Sequence, residues 1–177
     1  PTRKELGIST LFNILGPLCN PARPNASAVG VASLERVPLV VGVFQTRGAT
    51  ALVYRGDDGI DKLTTTGHSH IWEVSRGFVT EHDLDPADLG IPRADIQSLL
   101  GADAAHNASV ARAVLVGEPG PVRDIVLLNA GAALYTAGVA PSITEGVRQA
   151  REAVASGAAA AKLSQFVAAT QAFNTPA

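Results

Sequence analysis

The residues best suited to carry chemistry lie in a short acidic loop at residues 56–62. Its sequence, Gly-Asp-Asp-Gly-Ile-Asp-Lys, brings Asp57, Asp58 and Asp61 together beside two glycines. Carboxylate oxygens are the hard ligands that Mg²⁺ prefers, and Mg²⁺ usually keeps waters and substrate phosphates in its shell. The loop lacks the glutamate at the twelfth position that an EF-hand requires. Two interpretations therefore stay open: a site for a divalent cation or a metal-bound phosphate, and a solvated acidic turn.

Two further polar groups follow the acidic loop. His68 and His70 are two residues apart, which puts both imidazoles on one face of a strand and allows a zinc pair. No convincing third and fourth ligands lie nearby, and Cys19 is far away in sequence, so we expect hydrogen-bonded histidines instead. Residues 64–67, Thr-Thr-Thr-Gly, could donate hydroxyl and N–H groups to an anion. A turn at the edge of a sheet is the favoured alternative for this run.

The elements that must position the acidic loop form a predicted strand–helix–strand unit. Residues 28–32 are an apolar strand, Pro38 suits the first turn of a helix, and Gly48 suits the position after its end. Residues 50–54 are a second apolar strand that runs straight into the acidic loop. Strands joined in this way are normally parallel and buried, and ligands bind beyond their carboxyl ends. The pattern predicts an α/β fold with a central, largely parallel sheet flanked by helices.

The second half of the chain is rich in alanine and in helix signals. Asp103 is a predicted N-cap for a helix over residues 103–116, and Pro121 begins a mostly apolar helix. Ser142 and Glu145 have the spacing of a capping box, in which each side chain bonds the other's free backbone N–H. We expect these helices to pack against the sheet and not to carry chemistry.

Composition narrows the functional classes further. The 177 residues are 46% hydrophobic and 17% charged, with a net charge of -2, one cysteine and no methionine. These values exclude a disordered chain and a disulfide scaffold. The charge argues against nucleic acid or an anionic membrane as a partner. The longest charge-free run, residues 125–144, contains glycine and proline and fits a buried helix followed by a loop.

Longer motifs give the sequence a family resemblance. Residues 3–8 read Arg-Lys-Glu-Leu-Gly-Ile and residues 10–21 read Thr-Leu-Phe-Asn-Ile-Leu-Gly-Pro-Leu-Cys-Asn-Pro. Residues 56–67 read Gly-Asp-Asp-Gly-Ile-Asp-Lys-Leu-Thr-Thr-Thr-Gly, and residues 127–130 read Leu-Leu-Asn-Ala. Together these segments closely resemble the anthranilate phosphoribosyltransferase family.

The resemblance implies a fold of the phosphoribosyltransferase and nucleoside-phosphorylase type. Residues 1–177 would form the C-terminal part of its catalytic α/β domain. The family's N-terminal helical region and its glycine-rich phosphate-binding loop do not occur in the chain. This is our explanation for a chain that begins at Pro1 without methionine, and we expect such a fragment to be inactive without its missing half.

The implied reaction is transfer of the phosphoribosyl group from phosphoribosyl pyrophosphate (PRPP) to the amine of anthranilate, in tryptophan biosynthesis, with Mg²⁺ as cofactor. By the same resemblance, Arg3 matches the arginine that holds the anthranilate carboxylate, and Asn13 and Gly16 match a loop beside the substrate tunnel. Asp61 matches the first member of an acidic pair that holds Mg²⁺. The resemblance also implies a cytoplasmic enzyme that is a homodimer at full length, without nucleic-acid or membrane partners.

The acidic pair is where the sequence departs from the family. Lys62 occupies the position of the family's second metal-binding glutamate. Its positively charged side chain could contact pyrophosphate directly. Cys19 replaces the family's usual threonine. Two alternatives stay open: a non-enzymatic binding protein on the same scaffold, and a relative of the pyrimidine nucleoside phosphorylases. The Phe-Asn-Ile-Leu-Gly-Pro-Leu motif at residues 12–18 points away from the second.

Overall fold

The structure is a computed structural model and describes residues 16–173. The strands within that range are β1 (Ala26–Gly30), β2 (Thr50–Gly56), β3 (Ser69–Ser75) and β4 (Phe78–Leu84). The α-helices there are α1 (Val37–Thr46), α2 (Ala104–Leu115), α3 (Pro121–Thr136), α4 (Ile143–Ala155) and α5 (Ala158–Ala172). Short 3-10 helices lie at Leu34–Arg36, Pro86–Leu89 and Ile96–Leu99.

The predicted strand–helix–strand unit is confirmed by β1, α1 and β2. Pro38 lies in the first turn of α1, where its missing N–H leaves no hydrogen bond unmade. Gly48 follows the helix with a φ of 60°, a left-handed conformation that glycine adopts without steric cost. β2 then returns parallel to β1. The acidic loop therefore begins at the carboxyl end of a parallel strand, as expected.

The described strands form one mixed sheet in the order β1-β2-β3-β4. The α/β class and the flanking helices are confirmed, but the expectation of a largely parallel sheet needs correction. β1 and β2 are parallel, whereas β3 is antiparallel to both β2 and β4. The connections explain the difference. β3 and β4 are joined by Arg76 and Gly77, both with positive φ, and such tight turns join antiparallel strands.

At β2 the sheet is buried on both faces, since successive side chains of this strand point in opposite directions and both sets are covered. Ala51 and Val53 belong to the core beneath α1, which includes Phe44. Leu52 and Tyr54 belong to the core beneath α3 and α4. At β2 the sheet thus lies between α1 on one face and the pair α3 and α4 on the other.

Helices α3 and α4 touch through two glycines. A Cβ atom at Gly131 would lie 2.5 Å from the backbone nitrogen of Val147, and one at Gly146 would lie 2.2 Å from the carbonyl oxygen of Gly131. Real Cβ atoms do not approach so closely, so the helices can pack in this way only because both residues lack side chains. No helix among the residues that the structure describes is long and apolar enough to cross a membrane.

The predicted helix starts are confirmed by their caps. The carboxylate of Asp103 accepts the N–H of His106 at 2.8 Å, and the hydroxyl of Ser142 accepts the N–H of Glu145 at 3.2 Å. The Glu145 carboxylate accepts from Nε of Arg148 at 2.8 Å, so the serine half of the predicted capping box forms while the glutamate side chain turns along the helix. Hydrogen bonding to Arg148 lowers the pKa of Glu145 to about 2.

Candidate functional site

The acidic loop and the threonine run that follows it form one connection between β2 and β3, here called the site loop (residues 56–67). Gly30, the last residue of β1, lies directly against it. A Cβ atom at Gly30 would be 1.7 Å from the carbonyl oxygen of Asp61, so only glycine permits this approach. Asp61 and Lys62 are therefore held over the carboxyl end of β1. In α/β proteins, ligands bind beyond the carboxyl ends of the parallel strands.

Asp58 holds the site loop together from within. Its Oδ2 atom accepts hydrogen bonds from the hydroxyls of Thr64 and Thr66, each at 2.7 Å, and its Oδ1 accepts the N–H of Ile60 at 3.2 Å. Burial alone would raise the pKa of Asp58, but these hydrogen bonds outweigh burial and lower it. The two hydroxyls point at a carboxylate of the loop itself. This arrangement favours the interpretation of residues 64–67 as a turn and not as an anion-binding segment.

Asp61 and Lys62 form an exposed ion pair. The Nζ atom of Lys62 lies 2.6 Å from Oδ1 of Asp61, and each side chain is 58% exposed. Within residues 16–173, no three or more His, Cys, Asp and Glu side chains are grouped to hold a metal ion. An ammonium group beside a carboxylate weakens its attraction for a divalent cation, since the ammonium charge repels the metal. The pair present at this position therefore disagrees with the Mg²⁺ site that the resemblance implies.

An open groove of about 890 Å³ runs beside this ion pair. Its walls come from α3 and from the segment around the 3-10 helix Ile96–Leu99, and they are mostly apolar. Tyr54 lines the groove as well. Burial, and then the charge of Asp61, raise the pKa of the Tyr54 hydroxyl above its ordinary value. A groove of this kind can receive a ligand with an apolar body and an anionic end.

The two histidines lie at the β3–β4 side of the sheet and contact different carboxylates. His70 is 2.6 Å from Asp83 through Nδ1 and 3.2 Å from Glu81 through Nε2, while Nε2 of His68 is 3.2 Å from Asp85. Burial alone would lower the pKa of His70, but the two carboxylates raise it. The predicted hydrogen-bonded arrangement is confirmed at His70.

The remaining predicted site residues lie at or beyond the edge of the described chain. Arg3 and Asn13 are outside the described residues, so their roles stay predictions. Gly16 is exposed, and the carbonyl of nearby Leu18 accepts a 2.7 Å hydrogen bond from Arg47. Arg47 follows α1 and precedes β2, so this segment lies near the edge where β2 begins, away from the site loop. The role of Gly16 also stays a prediction.

Comparison with known proteins places this arrangement in a family. Residues 1–160 match the family described as "Glycosyl transferase family, a/b domain". The chain belongs to this glycosyl transferase family. The anthranilate phosphoribosyltransferase of Clavibacter sepedonicus is 69% identical to it over 97% of the chain and 52% of the relative. The glycosyl transferase domain thus spans about half the length of the curated relatives it matches.

Solved structures agree with this assignment of the glycosyl transferase domain. The anthranilate phosphoribosyltransferase of Thermus thermophilus has a TM-score of 0.85 at 42% identity, covering 95% of this chain and 50% of that one. The Saccharomyces cerevisiae enzyme in complex with PRPP and Mg has a TM-score of 0.85 at 26% identity, covering 96% and 50%. The family resemblance inferred from the motifs is confirmed.

Asn129 of this glycosyl transferase domain belongs to the Leu-Leu-Asn-Ala segment that contributed to the family resemblance, but the sequence analysis predicted no site role for it. Its Oδ1 accepts the N–H of Leu63 at 3.0 Å, and its Nδ2 donates to the carbonyl of Leu63 at 2.9 Å. One sequence signal could have pointed to Asn129: it is a single carboxamide within an otherwise apolar stretch of α3. A polar side chain in such a stretch is expected to have a hydrogen-bond partner. The sequence does not say which partner, since Leu63 is 66 residues away.

Proposed function

We propose that the protein containing this chain transfers the phosphoribosyl group of PRPP to the amine of anthranilate, with pyrophosphate as the leaving group, in tryptophan biosynthesis. The observation that carries the proposal is 69% identity, over 97% of the chain, to a relative of that name. Residues 1–177 would act as the C-terminal part of the catalytic domain, with activity requiring the other half of the relatives' length. By the same resemblance we propose a cytoplasmic homodimer.

Lys62 is proposed to contact the pyrophosphate side of the substrate. Transfer at the ribose carbon leaves negative charge on the departing pyrophosphate, which a nearby cation stabilises. The Lys62 ammonium is exposed at the rim of the groove, and its flexible stem and three N–H donors allow it to exchange Asp61 for a phosphate oxygen. The proposed reaction therefore does not rely on a metal held by Asp61 and Lys62.

Arg3 is proposed to orient anthranilate. A guanidinium group binds a carboxylate through two parallel hydrogen bonds, which fixes the ring as well as the charge. By the same resemblance, Asn13 and Gly16 would belong to a loop that borders the substrate tunnel. The aromatic amine needs positioning more than it needs a strong base, so binding geometry supplies most of the rate enhancement on this side.

The test is a steady-state assay of the full-length protein with anthranilate, PRPP and Mg²⁺. We expect phosphoribosyl anthranilate to form only when both substrates are present. Arg3→Ala should raise the KM for anthranilate about tenfold or more while the KM for PRPP changes little, because only one substrate loses its paired contact. Lys4→Ala is the control, since it removes a neighbouring positive charge.

Absence of product with the unmodified full-length protein would overturn the proposed activity. The alternative of a binding protein on the same scaffold draws on the Asp61–Lys62 ion pair, which departs from the family's acidic pair. Saturable PRPP binding without turnover would favour that alternative. The nucleoside phosphorylase alternative has no support from the relatives described above, which are all anthranilate phosphoribosyltransferases.

A further inference from the structure

We infer that Asn129 is a positioning residue, which holds the site loop so that Asp61 and Lys62 face the ligand. The inference rests on the proposed function, because it assigns Asn129 a part in PRPP binding. Asn129 itself is on helix α3 and acts through the backbone of Leu63.

The carboxamide of Asn129 pairs with the backbone of Leu63 as a neighbouring strand would. It accepts the Leu63 N–H at 3.0 Å and donates to the Leu63 carbonyl at 2.9 Å. Its second amide hydrogen goes to the carbonyl of Ile125 at 2.9 Å, one helical turn earlier. Both N–H groups and the oxygen are therefore used. Aspartate could not replace it, because a carboxylate oxygen would face two carbonyls.

The contact between Asn129 and Leu63 affects the site because Leu63 is next to Lys62 in the chain. Leu63 follows Lys62 directly, and its side chain is fully buried in the core that contains Leu128. On the other side of Lys62, the carbonyl of Asp61 lies against Gly30. The ion pair is thus held between two fixed backbone points, one set by β1 and the other by Asn129.

The other contacts of the site loop do not replace this one. Asp58 ties the loop to its own threonines, and the Thr64 N–H bonds to Ser69 at the start of β3. In the described part of the chain, it is the bonds of Asn129 that join the site loop to an α-helix. Without them, the stretch carrying Asp61 and Lys62 loses its hydrogen bonds to α3 and keeps only the apolar contact of the Leu63 side chain.

The chain contains a matched control in Asn107. This side chain accepts the N–H of Ala102 at 2.9 Å and donates to the Ala102 carbonyl at 3.1 Å. It makes the same pair of hydrogen bonds from a helix to a neighbouring backbone, but Ala102 is outside the site loop. Removing it costs the same kind of hydrogen-bond pair, in a more exposed setting and on a segment outside the site loop.

The experiment compares Asn129→Ala with Asn107→Ala in the full-length protein. We expect Asn129→Ala to raise the KM for PRPP roughly tenfold, the order seen when a partner behind a binding residue is removed. The KM for anthranilate should stay within about twofold, and Asn107→Ala should leave both values within about twofold. Asn129→Ser, which can still bond the Ile125 carbonyl but is too short to reach Leu63, should behave like Asn129→Ala.

Three results would overturn the inference: an unchanged KM for PRPP, equal losses for both substrates, or the same effect in Asn107→Ala. If the unmodified protein shows no turnover, the proposed function fails separately, and titration with pyrophosphate decides the positioning role. A roughly tenfold weaker pyrophosphate affinity in Asn129→Ala or Asn129→Ser would support it. Equal affinities, or no pyrophosphate binding by the unmodified protein, would overturn it.

Discussion

At Asp61 and Lys62, two adjacent side chains decide which kind of ligand the edge of the sheet attracts. Two carboxylates would concentrate negative charge and draw a divalent cation. The pair of an aspartate and a lysine carries no net charge, and the exposed ammonium group of the lysine is available to an anion. The position of the backbone is compatible with either pair, because it is fixed by Gly30 and by the bonds of Asn129 to Leu63 and not by the two side chains.

Lys62→Glu should therefore create a cation site where the unmodified chain has an ion pair. We expect the variant to bind Mn²⁺, a probe for Mg²⁺, about tenfold or more tightly than the unmodified chain, because affinity rises with the number of carboxylate ligands. Titration followed by electron paramagnetic resonance measures it. Lys62→Gln is the control, since it removes the cation without adding a carboxylate. Equal Mn²⁺ affinity in all three proteins would count against Asp61 as a cation ligand.

Asp58 should contribute to stability and not to binding. Asp58→Asn places an NH₂ group or a weaker acceptor opposite the hydroxyls of Thr64 and Thr66, and should lower the free energy of unfolding by about 1–3 kcal/mol. Urea denaturation at neutral pH measures this loss. Asp57→Asn is the control, because the Asp57 side chain is 64% exposed and its contact to His68 is 3.9 Å long.

The pH dependence of that loss has a definite sign. The folded-state pKa of Asp58 is lowered, so its stabilisation is fully present above the unfolded pKa of about 3.9. It is lost as the pH falls through the folded pKa, where the carboxylate becomes protonated. The stability difference between the unmodified chain and Asp58→Asn should therefore shrink in acid, and a difference that grows below about pH 4 would contradict this assignment.

Among the elements, the contact between α3 and α4 is the most sensitive to added volume. Gly131→Ala would place a methyl group 2.5 Å from the backbone nitrogen of Val147. The helices must then separate, and we expect the free energy of unfolding to fall by about 1–3 kcal/mol, as for other overpacked sites. Thermal unfolding monitored by circular dichroism measures it.

Gly42→Ala is the control for that substitution. Gly42 lies inside α1, and a Cβ atom there would meet nothing within 4 Å. This variant should gain about 0.5–1 kcal/mol, because alanine loses less conformational freedom in a helix than glycine. A Gly131→Ala protein as stable as the unmodified chain would show that α3 and α4 can separate without cost.

Sequence patterns predicted the elements best where the signal is local. The proline at N1 and the apolar run predicted α3 to its observed start, and Asp103 predicted the start of α2. A strand at His70 was predicted, but β4 was missed because it is largely exposed and carries a mixed polar pattern, and with it the antiparallel pairing was missed. The hairpin turn at Arg76 and Gly77 was a signal that the chain did offer.

For the site, the sequence predicted the residue types but not their partners. The neighbouring positions of Asp61 and Lys62 made their contact foreseeable, and Asp103 and Ser142 made their expected cap bonds, whereas Glu145 did not. The tie between Asn129 and Leu63 was not foreseeable, since periodicity says nothing about pairs 66 residues apart. The inward direction of the Thr64 hydroxyl was equally hidden, because it depends on how the loop closes around Asp58.

For the whole molecule, the double-sided burial of β2 has a consequence for cooperativity. Ala51 and Val53 are shared with the core under α1, and Leu52 and Tyr54 with the core under α3 and α4. If either core unfolded alone, one face of β2 would be exposed to water. The two cores should therefore unfold in a single transition.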